Sequence, residues 1–271
     1  MADLVSIIMP VYNAEKYVGE AVQSVMNQTH MHWELLIIND GSTDNSQSII
    51  DPFDDVRIKK FKQENTGVSA ARNVGLRNMS GEFFCFLDAD DILTPNSLAC
   101  RMAVFKQNPD LSFVDGTVEK WNGDFSKKLS TWIPRFTGNP LEDLVNLTGR
   151  SFFGPSWMVR REPTQDYLME EGLTHGEDLL FYITHSTQNK LYGFTNDCTL
   201  KYRVHGHSAM SNLNGLGQGY LDLEGKLVRL GISDDLVNRF GKKRKSIMFK
   251  TYLRTGRLYA AISYYFKPDR V

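Results

Sequence analysis

Two carboxylates one residue apart stand at Asp88-Ala89-Asp90, directly after the apolar run Phe83-Phe84-Cys85-Phe86-Leu87. At the end of a buried strand such a pair can share a hard divalent cation. Mg²⁺ and Mn²⁺ take oxygen ligands and keep water or substrate phosphate in their shell. Asp91 extends the run, and adjacent acids repel unless a counter-charge is close. A second acidic pair, Glu177-Asp178, follows His175-Gly176 at the start of a predicted helix. It suits either favourable charge at a helix N-terminus or a general base over a crevice. In Tyr202-Arg203-Val204-His205-Gly206-His207-Ser208, His205 can complete a metal shell and Arg203 can bind phosphate. Asp40-Gly41-Ser42-Thr43-Asp44 either caps a helix or offers Asp40 to the N–H groups of a base such as uracil. This segment is neither a Gly-x-Gly-x-x-Gly dinucleotide fingerprint nor a Gly-Lys-Ser/Thr phosphate loop. A nicotinamide dehydrogenase and a P-loop ATPase are therefore disfavoured.

The elements that must carry these groups alternate between strand and helix. Val5 to Met9 reads as a buried strand closed by Pro10, with Asn13 as the N-cap of a helix. Tyr17, Val18, Ala21, Val22, Val25 and Met26 form one apolar face of that helix. Trp33 to Ile38 is a second strand, after which Ser42 or Thr43 caps a helix through Ile50. Val56 to Phe61 suits an edge strand, since its lysines are costly inside. Val68 to Met79 predicts helix, Pro95 opens a helix to about Gln107, and Leu111 to Val118 is another strand. Trp121 to Asn146 reads as a loop-rich insertion. Gly176 to Ser186 predicts helix, and Tyr192 to Val204 a strand pair turning at Asn196-Asp197. Such alternation implies a mainly parallel α/β sheet, in which ligands bind beyond the carboxyl ends of the strands. Tyr12-Asn13, Asp40-Gly41-Ser42 and Asp88-Ala89-Asp90 all fall at such ends and are expected to meet in one crevice.

Composition sets the outer limits. The 271 residues are 41% hydrophobic and 23% charged, with a net charge of −1. This excludes a disordered chain, and global charge does not suggest a nucleic-acid protein. No apolar stretch approaches the length of a membrane span, and no signal peptide is visible. Cys85, Cys100 and Cys198 read as reduced thiols of a cytosolic protein. Ten of the 31 Lys and Arg residues lie between Arg239 and Val271, beside one Asp. An acidic body thus precedes a basic tail. If helical, the tail sets Lys250, Arg254 and Arg257 on one face and Met248, Tyr252 and Tyr259 on another. That arrangement suits an anionic membrane surface, a solvated helix packed on the body, or an oligomer contact.

Taken together, the chain resembles the family-two inverting glycosyltransferases of GT-A fold, of the bacterial surface-polysaccharide type. The resemblance rests on Ser6-Ile7-Ile8-Met9-Pro10-Val11-Tyr12-Asn13, Leu36-Ile37-Ile38-Asn39-Asp40-Gly41-Ser42-Thr43-Asp44, Gly67-Val68-Ser69-Ala70-Ala71-Arg72-Asn73-Val74-Gly75, Phe86-Leu87-Asp88-Ala89-Asp90-Asp91, Gly176-Glu177-Asp178 and Tyr202-Arg203-Val204-His205. It implies a Rossmann-type α/β sandwich with a mainly parallel central sheet and a C-terminal helical extension. Residues 1–215 would be the catalytic domain, with a nucleotide half to about 120 and an acceptor half over 121–215. Residues 216–271 would be the helical, basic extension.

The resemblance further implies that Pro10, Val11 and Tyr12 line the nucleotide pocket, that Asp40 holds the base, and that Arg72 supports the base and the acidic motif. Asp88 would approach the ribose or metal, and Ala89 would belong to the nucleotide-binding set. Asp90, with His205, would ligate Mn²⁺ or Mg²⁺ bridging the diphosphate, and Arg203 would bind phosphate. Asp178 would be the catalytic base, with Glu177 as neighbour or substitute. The expected donor is a UDP-sugar, the acceptor a glycan or lipid-linked glycan, and the location the inner face of the cytoplasmic membrane. No role for nucleic acid is implied. Residues 121–170 match no strong motif; Trp121, Trp132 and Trp157 suit sugar stacking or core packing, and Phe152-Phe153-Gly154-Pro155-Ser156 the acceptor side. A sugar nucleotidyltransferase would need a Gly-rich, basic phosphate loop at the first strand, where Pro10-Val11-Tyr12-Asn13 stands instead. A non-catalytic nucleotide-sugar or membrane-binding module would not need the Glu-Asp pair.

Overall fold

The computed structural model describes residues 3–173, 175–187, 189–206 and 212–267. His207 and Ser208 lie outside the described residues. The N-terminal part runs β1 (Val5–Val11), α1 (Val18–Met26), β2 (Trp33–Asp40), α2 (Ser46–Ile50), β3 (Ile58–Gln63), α3 (Val68–Asn78), β4 (Phe83–Phe86). After it come β5 (Ile92–Leu93), α4 (Ser97–Gln107), β6 (Leu111–Asn122), β7 (Lys128–Trp132), α5 (Leu141–Val145), β8 (Met158–Arg160), α6 (Glu177–Ser186) and β9 (Leu191–Val204). Three helices follow: α7 (Leu213–Arg229), α8 (Asp234–Arg254) and α9 (Leu258–Tyr265).

The strands form one sheet in the order β3-β2-β1-β4-β8-β6-β9-β5, with β7 pairing to β6. β1 lies between β2 and β4 and is parallel to both, and β3 continues the parallel set at the edge. β8 enters antiparallel to β4 and β6, while β6 and β9 are parallel. Alternate side chains of a strand face opposite sides, and the core divides accordingly. Ile8, Leu36, Phe84 and Phe86 face Ala71 and Leu76 of α3, helix α6, and Leu223 and Leu227 of α7. Ile7, Leu35, Ile37 and Cys85 face Val18, Val22 and Val25 of α1 and Met102 and Phe105 of α4. Gly75 lets α3 lie close on β1, since a Cβ there would sit 2.4 Å from Ile8 Cγ2.

Several expectations change at this level. Asn13 does not cap α1. It sits at φ 49, and its Oδ1 accepts from Thr43 N at 2.8 Å. Its own N–H donates to Ser42 Oγ at 3.1 Å. Both side chains expected to cap helices are thus spent on joining two loops. Trp121 to Asn146 is more ordered than its Pro and Gly content suggests, since β6 runs on to Asn122 and turns into β7. Tyr192 to Val204 is one strand, not a pair. Asn196 and Asp197 fall where the β6–β9 register shifts between Asp115↔Phe194 and Thr117↔Cys198, so the polar dipeptide makes a bulge instead of a turn.

The basic tail is helical but does not continue as one surface helix. Gly256 takes φ 74 after α8, and α9 folds back. Met248 and Tyr252 are thereby buried with Leu221, Ala261 and Tyr264. Arg244, counted in the tail's positive charge, is buried and donates to Glu224 Oε2 of α7 at 2.7 Å. Among the described residues no helix is long and apolar enough to cross a membrane.

Gly75→Ala is expected to lower unfolding free energy by about 1–3 kcal/mol through overpacking between α3 and β1. A urea melt that leaves the midpoint unchanged would show that the two elements are less tightly seated than described.

Candidate active site

The carboxyl ends of β1, β2 and β4 lie at one edge of the sheet, because the three strands are parallel neighbours. The loops after β1 and β2 are sewn together: besides the Asn13–Ser42 and Asn13–Thr43 bonds, Ala14 N donates to Ser46 Oγ at 2.8 Å and Glu15 N to Asp44 Oδ2 at 2.9 Å. Pro10 and Val11 are buried at the end of β1, whereas Tyr12 projects with 52% of its surface exposed. Asp40, at the end of β2, is buried and holds the approach to α3. Its Oδ1 accepts from Gln63 Nε2 at 2.7 Å and Thr66 N at 2.9 Å, and its Oδ2 from Gly67 N at 2.9 Å. A carboxylate has about four acceptor sites, so most of the Asp40 capacity is used within the chain.

Arg72 joins the next three groups. It is 3% exposed on α3. Nη2 donates to Asp88 Oδ1 at 2.7 Å, and Nη1 donates to Glu177 Oε1 at 3.2 Å. Burial disfavours its charge, but the carboxylates of Asp88, Glu177 and Asp178 outweigh that, and the guanidinium pKa is raised. The neighbouring Asn73, also buried, pairs with the backbone of Met169: Nδ2 donates to Met169 O at 3.0 Å, and Oδ1 accepts from Met169 N at 2.7 Å. Arg72 and Asn73 together bring the segment before α6 onto α3. The sequence motif contained Asn73 without marking its task; a buried amide inside a helix is the signal that could have exposed it.

Glu177 and Asp178 occupy the first turn of α6. Burial, reinforced by the charge of Glu177 and opposed by Arg72, pushes the Asp178 carboxyl up to about 7. The pair therefore splits into two roles. Glu177 is held on the guanidinium, while Asp178 has a basicity suited to proton transfer near neutral pH.

Past Asp88, the chain turns towards β9. Ala89 is buried. Asp90 Oδ2 lies 2.8 Å from His205 Nε2. Burial and the charge of Asp88 raise the Asp90 pKa, against the hydrogen bond to His205. Asp91 is buried and accepts from Arg203 N at 2.8 Å; burial and the charges of Asp90 and Asp88 hold its pKa well up. Tyr17, which the sequence offered only as part of an apolar face, stacks on His205 with ring centroids 5.1 Å apart.

Arg203 is 3% exposed and is committed within the chain. Its Nε donates to Asp90 O at 2.7 Å, Nη1 to Gly123 O at 2.5 Å and Nη2 to Glu20 Oε2 at 2.6 Å. The guanidinium lies between the rings of Tyr17 and Phe125. This geometry makes it a brace for the acidic loop, with one hydrogen bond from each of its three nitrogens made inside the chain. Of the three tryptophans, Trp157 is fully buried and donates to Ser151 O at 2.8 Å, which removes it from sugar stacking. Trp121 and Trp132 are half-buried.

Asp88, Asp90 and His205 offer hard oxygen donors and one imidazole, a set suited to Mg²⁺ or Mn²⁺. Asp90 Oδ2 and His205 Nε2 are hydrogen-bonded to each other at 2.8 Å, so an ion held by both would have to displace that contact. Among the described residues no cluster of three or more His, Cys, Asp or Glu side chains is gathered to hold an ion, so water and phosphate oxygens would have to complete the shell.

Comparison with known proteins agrees with this arrangement. The Escherichia coli UDP-Glc:alpha-D-GlcNAc-diphosphoundecaprenol beta-1,3-glucosyltransferase WfgD is 42% identical over 122 residues, 45% of this chain and 48% of that protein. The chain spans about a third of the length of the uncharacterized Rickettsia glycosyltransferases it matches. Staphylococcus aureus TarS 1–349 in complex with UDP-GlcNAc superposes with a TM-score of 0.74 at 17% identity, covering 97% of this chain and 79% of that one. The mannosyltransferase PcManGT of Pyrobaculum calidifontis, in complex with GDP-Man and Mn²⁺, gives 0.66 at 16% identity, covering 96% and 78%. These likenesses establish the GT-A arrangement of the sheet. Residues 6–168, which hold the two joined loops, Arg72 and the acidic segment, match the model of glycosyl transferase family 2, and the chain belongs to that family.

Proposed function

We propose that the chain transfers a sugar from a nucleoside-diphosphate sugar, a UDP-sugar in the first instance, to an acceptor hydroxyl with inversion at the anomeric carbon. The observation that carries the reading is the Arg72 bridge, which ties the acidic strand end and the Glu177-Asp178 turn to one buried guanidinium. In this reading Pro10, Val11 and Tyr12 line the nucleotide pocket, with the exposed Tyr12 ring available to the base. Asp40 keeps the pocket wall in place and retains acceptor capacity for a base N–H. Asp88 and Ala89 border the ribose. Asp90 and His205 would hold Mn²⁺ or Mg²⁺, which when bound neutralises charge developing on the departing diphosphate. Arg203 acts by bracing the loop that carries Asp90.

Asp178 takes the proton of the acceptor hydroxyl as its oxygen attacks the anomeric carbon from the face opposite the diphosphate. The C–O bond to the diphosphate breaks in the same displacement, so the configuration inverts and no glycosyl-enzyme forms. Burial keeps Asp178 basic, and Glu177, held by Arg72, adds a neighbouring negative charge.

A lipid-linked glycan is the proposed acceptor, as the name of WfgD describes for that protein. The C-terminal helices are the proposed contact with an anionic leaflet, at the inner face of the cytoplasmic membrane. Tyr259 and Phe266 are 87% and 77% exposed, and Leu258, Ile262 and Tyr265 are exposed on the same helical segment. Lys250, Arg254 and Arg257 precede them. Apolar side chains beside basic ones suit an interface where each nearby cation contributes on the order of 1 kcal/mol.

Four measurements test the reading. UDP with Mn²⁺ should raise the melting temperature of the wild type more than UDP alone, by mass action on the folded state. Asp90→Ala should lose the Mn²⁺-dependent part, and an unchanged increment there removes Asp90 from the metal. Asp178→Asn should lower kcat by roughly 10²–10⁴-fold. In the wild type, kcat/KM should fall as pH drops through the raised Asp178 pKa, because a base works only when deprotonated. A flat profile between pH 5 and 8 would argue against it. Sedimentation with phosphatidylserine vesicles should be lost in a Tyr259→Asp/Phe266→Asp double variant; equal binding by the variant would move the membrane contact elsewhere.

A further inference from the structure

α6 begins without a described capping side chain; its first turn is set by Gly176, which takes φ 79 and ψ 13. The residue before it, His175, is buried. α7 crosses this turn at unusually short range. A Cβ on Gly219 would lie 2.6 Å from His175 O and 2.7 Å from His175 Cβ. A Cβ on Gly215 would lie 2.6 Å from His175 Cε1. Positions 215, 219 and 223 share one helical face, and the third, Leu223, is buried with Cδ2 3.7 Å from where a Gly176 Cβ would be. Tyr220, next along α7, has its hydroxyl pKa raised by burial and then by the charge of Asp178.

α7 is itself held from both sides. The buried Arg244–Glu224 pair fixes it to α8. Tyr264 Oη of α9 donates to Gly217 O at 2.9 Å. Lys226 pairs with Glu170, in the segment leading to the turn. All of these contacts lie beyond residue 168, where the family match ends.

We propose that His175 is a positioning residue, wedged between Gly215 and Gly219 of α7 and the Gly176 turn, and that it sets the placement of Asp178 relative to Arg72 and Asp88. The C-terminal helices are on this account part of the catalytic machinery. The inference rests on the reading of Asp178 as the base. Glu177, Arg72, Asp88, Tyr182 and Tyr220 make up the charged and titratable surroundings of Asp178. Displacing the turn should move Asp178 relative to all of them and open it to water.

The test is the titration of the Asp178 carboxyl by ¹³C NMR in the full chain, its signal identified by loss in Asp178→Asn. Gly219→Ala presses a methyl group onto His175. His175→Gln removes the ring while retaining much of its bulk, and guards against a failure of the first variant to fold. Gly225→Ala is the control, because a Cβ there meets open space on the same helix. The Asp178 pKa should fall by about half a unit or more in the first two variants as burial is relaxed, and stay put in the control. An unchanged pKa in folded Gly219→Ala and His175→Gln overturns the proposal, as does an equal shift in Gly225→Ala. UDP release from a UDP-sugar by Asp178→Asn tests the base separately. Full activity in that variant ends the reading of Asp178 as base, whatever the titration shows about its placement.

Discussion

The site depends on one buried cation. A guanidinium removed from water must be met by anions with good geometry, and breaking such an arrangement costs about 3–5 kcal/mol. Arg72 reaches from α3 to the end of β4 and to the start of α6. That demand fixes three elements distant in sequence against each other. It also leaves a surplus of negative charge. Asp88 and Glu177 take the two hydrogen bonds, while Asp178 shares only the field. Burial first, and then the charge of Glu177 against the opposing field of Arg72, leave Asp178 basic beside two carboxylates that are paired, which is how adjacent acids acquire different tasks.

The chemistry-bearing residues were legible where a short motif ends a strand. Asp88-Ala89-Asp90 follows the buried run Phe83 to Leu87, and Asp40 ends β2, so period and polarity alone put both at the sheet's carboxyl edge. Partner choice was not legible. Asn13 and Ser42 have the composition of caps, yet each satisfies the other's loop. Arg203 has the composition of a phosphate ligand, yet the acceptors around it come from residues 20, 90 and 123. Such assignments depend on which loops meet, and local pattern does not contain that information. The same limit hid the bulge in β9: Asn196-Asp197 signals a turn in isolation, and only pairing to β6 carries the strand through it.

The C-terminal helices show a related limit in charge counting. Summed over sequence, the tail is a basic strip. In the fold Arg244 is neutralised inside by Glu224, and Met248 and Tyr252 become the packing surface. The surface that remains is smaller, and its exposed aromatic residues lie after the break at Gly256, on α9.

The acidic segment is moored at its two ends to different bodies. Asp88 is tied through Arg72 to α3 and α6, whereas Asp90 and Asp91 are tied through His205 and Arg203 to β9, with β5 pairing to the same strand just beyond. Only Ala89 separates the two moorings. A ligand bridging Asp88 and Asp90 would therefore join α3 and α6 to β9 across a single residue of chain.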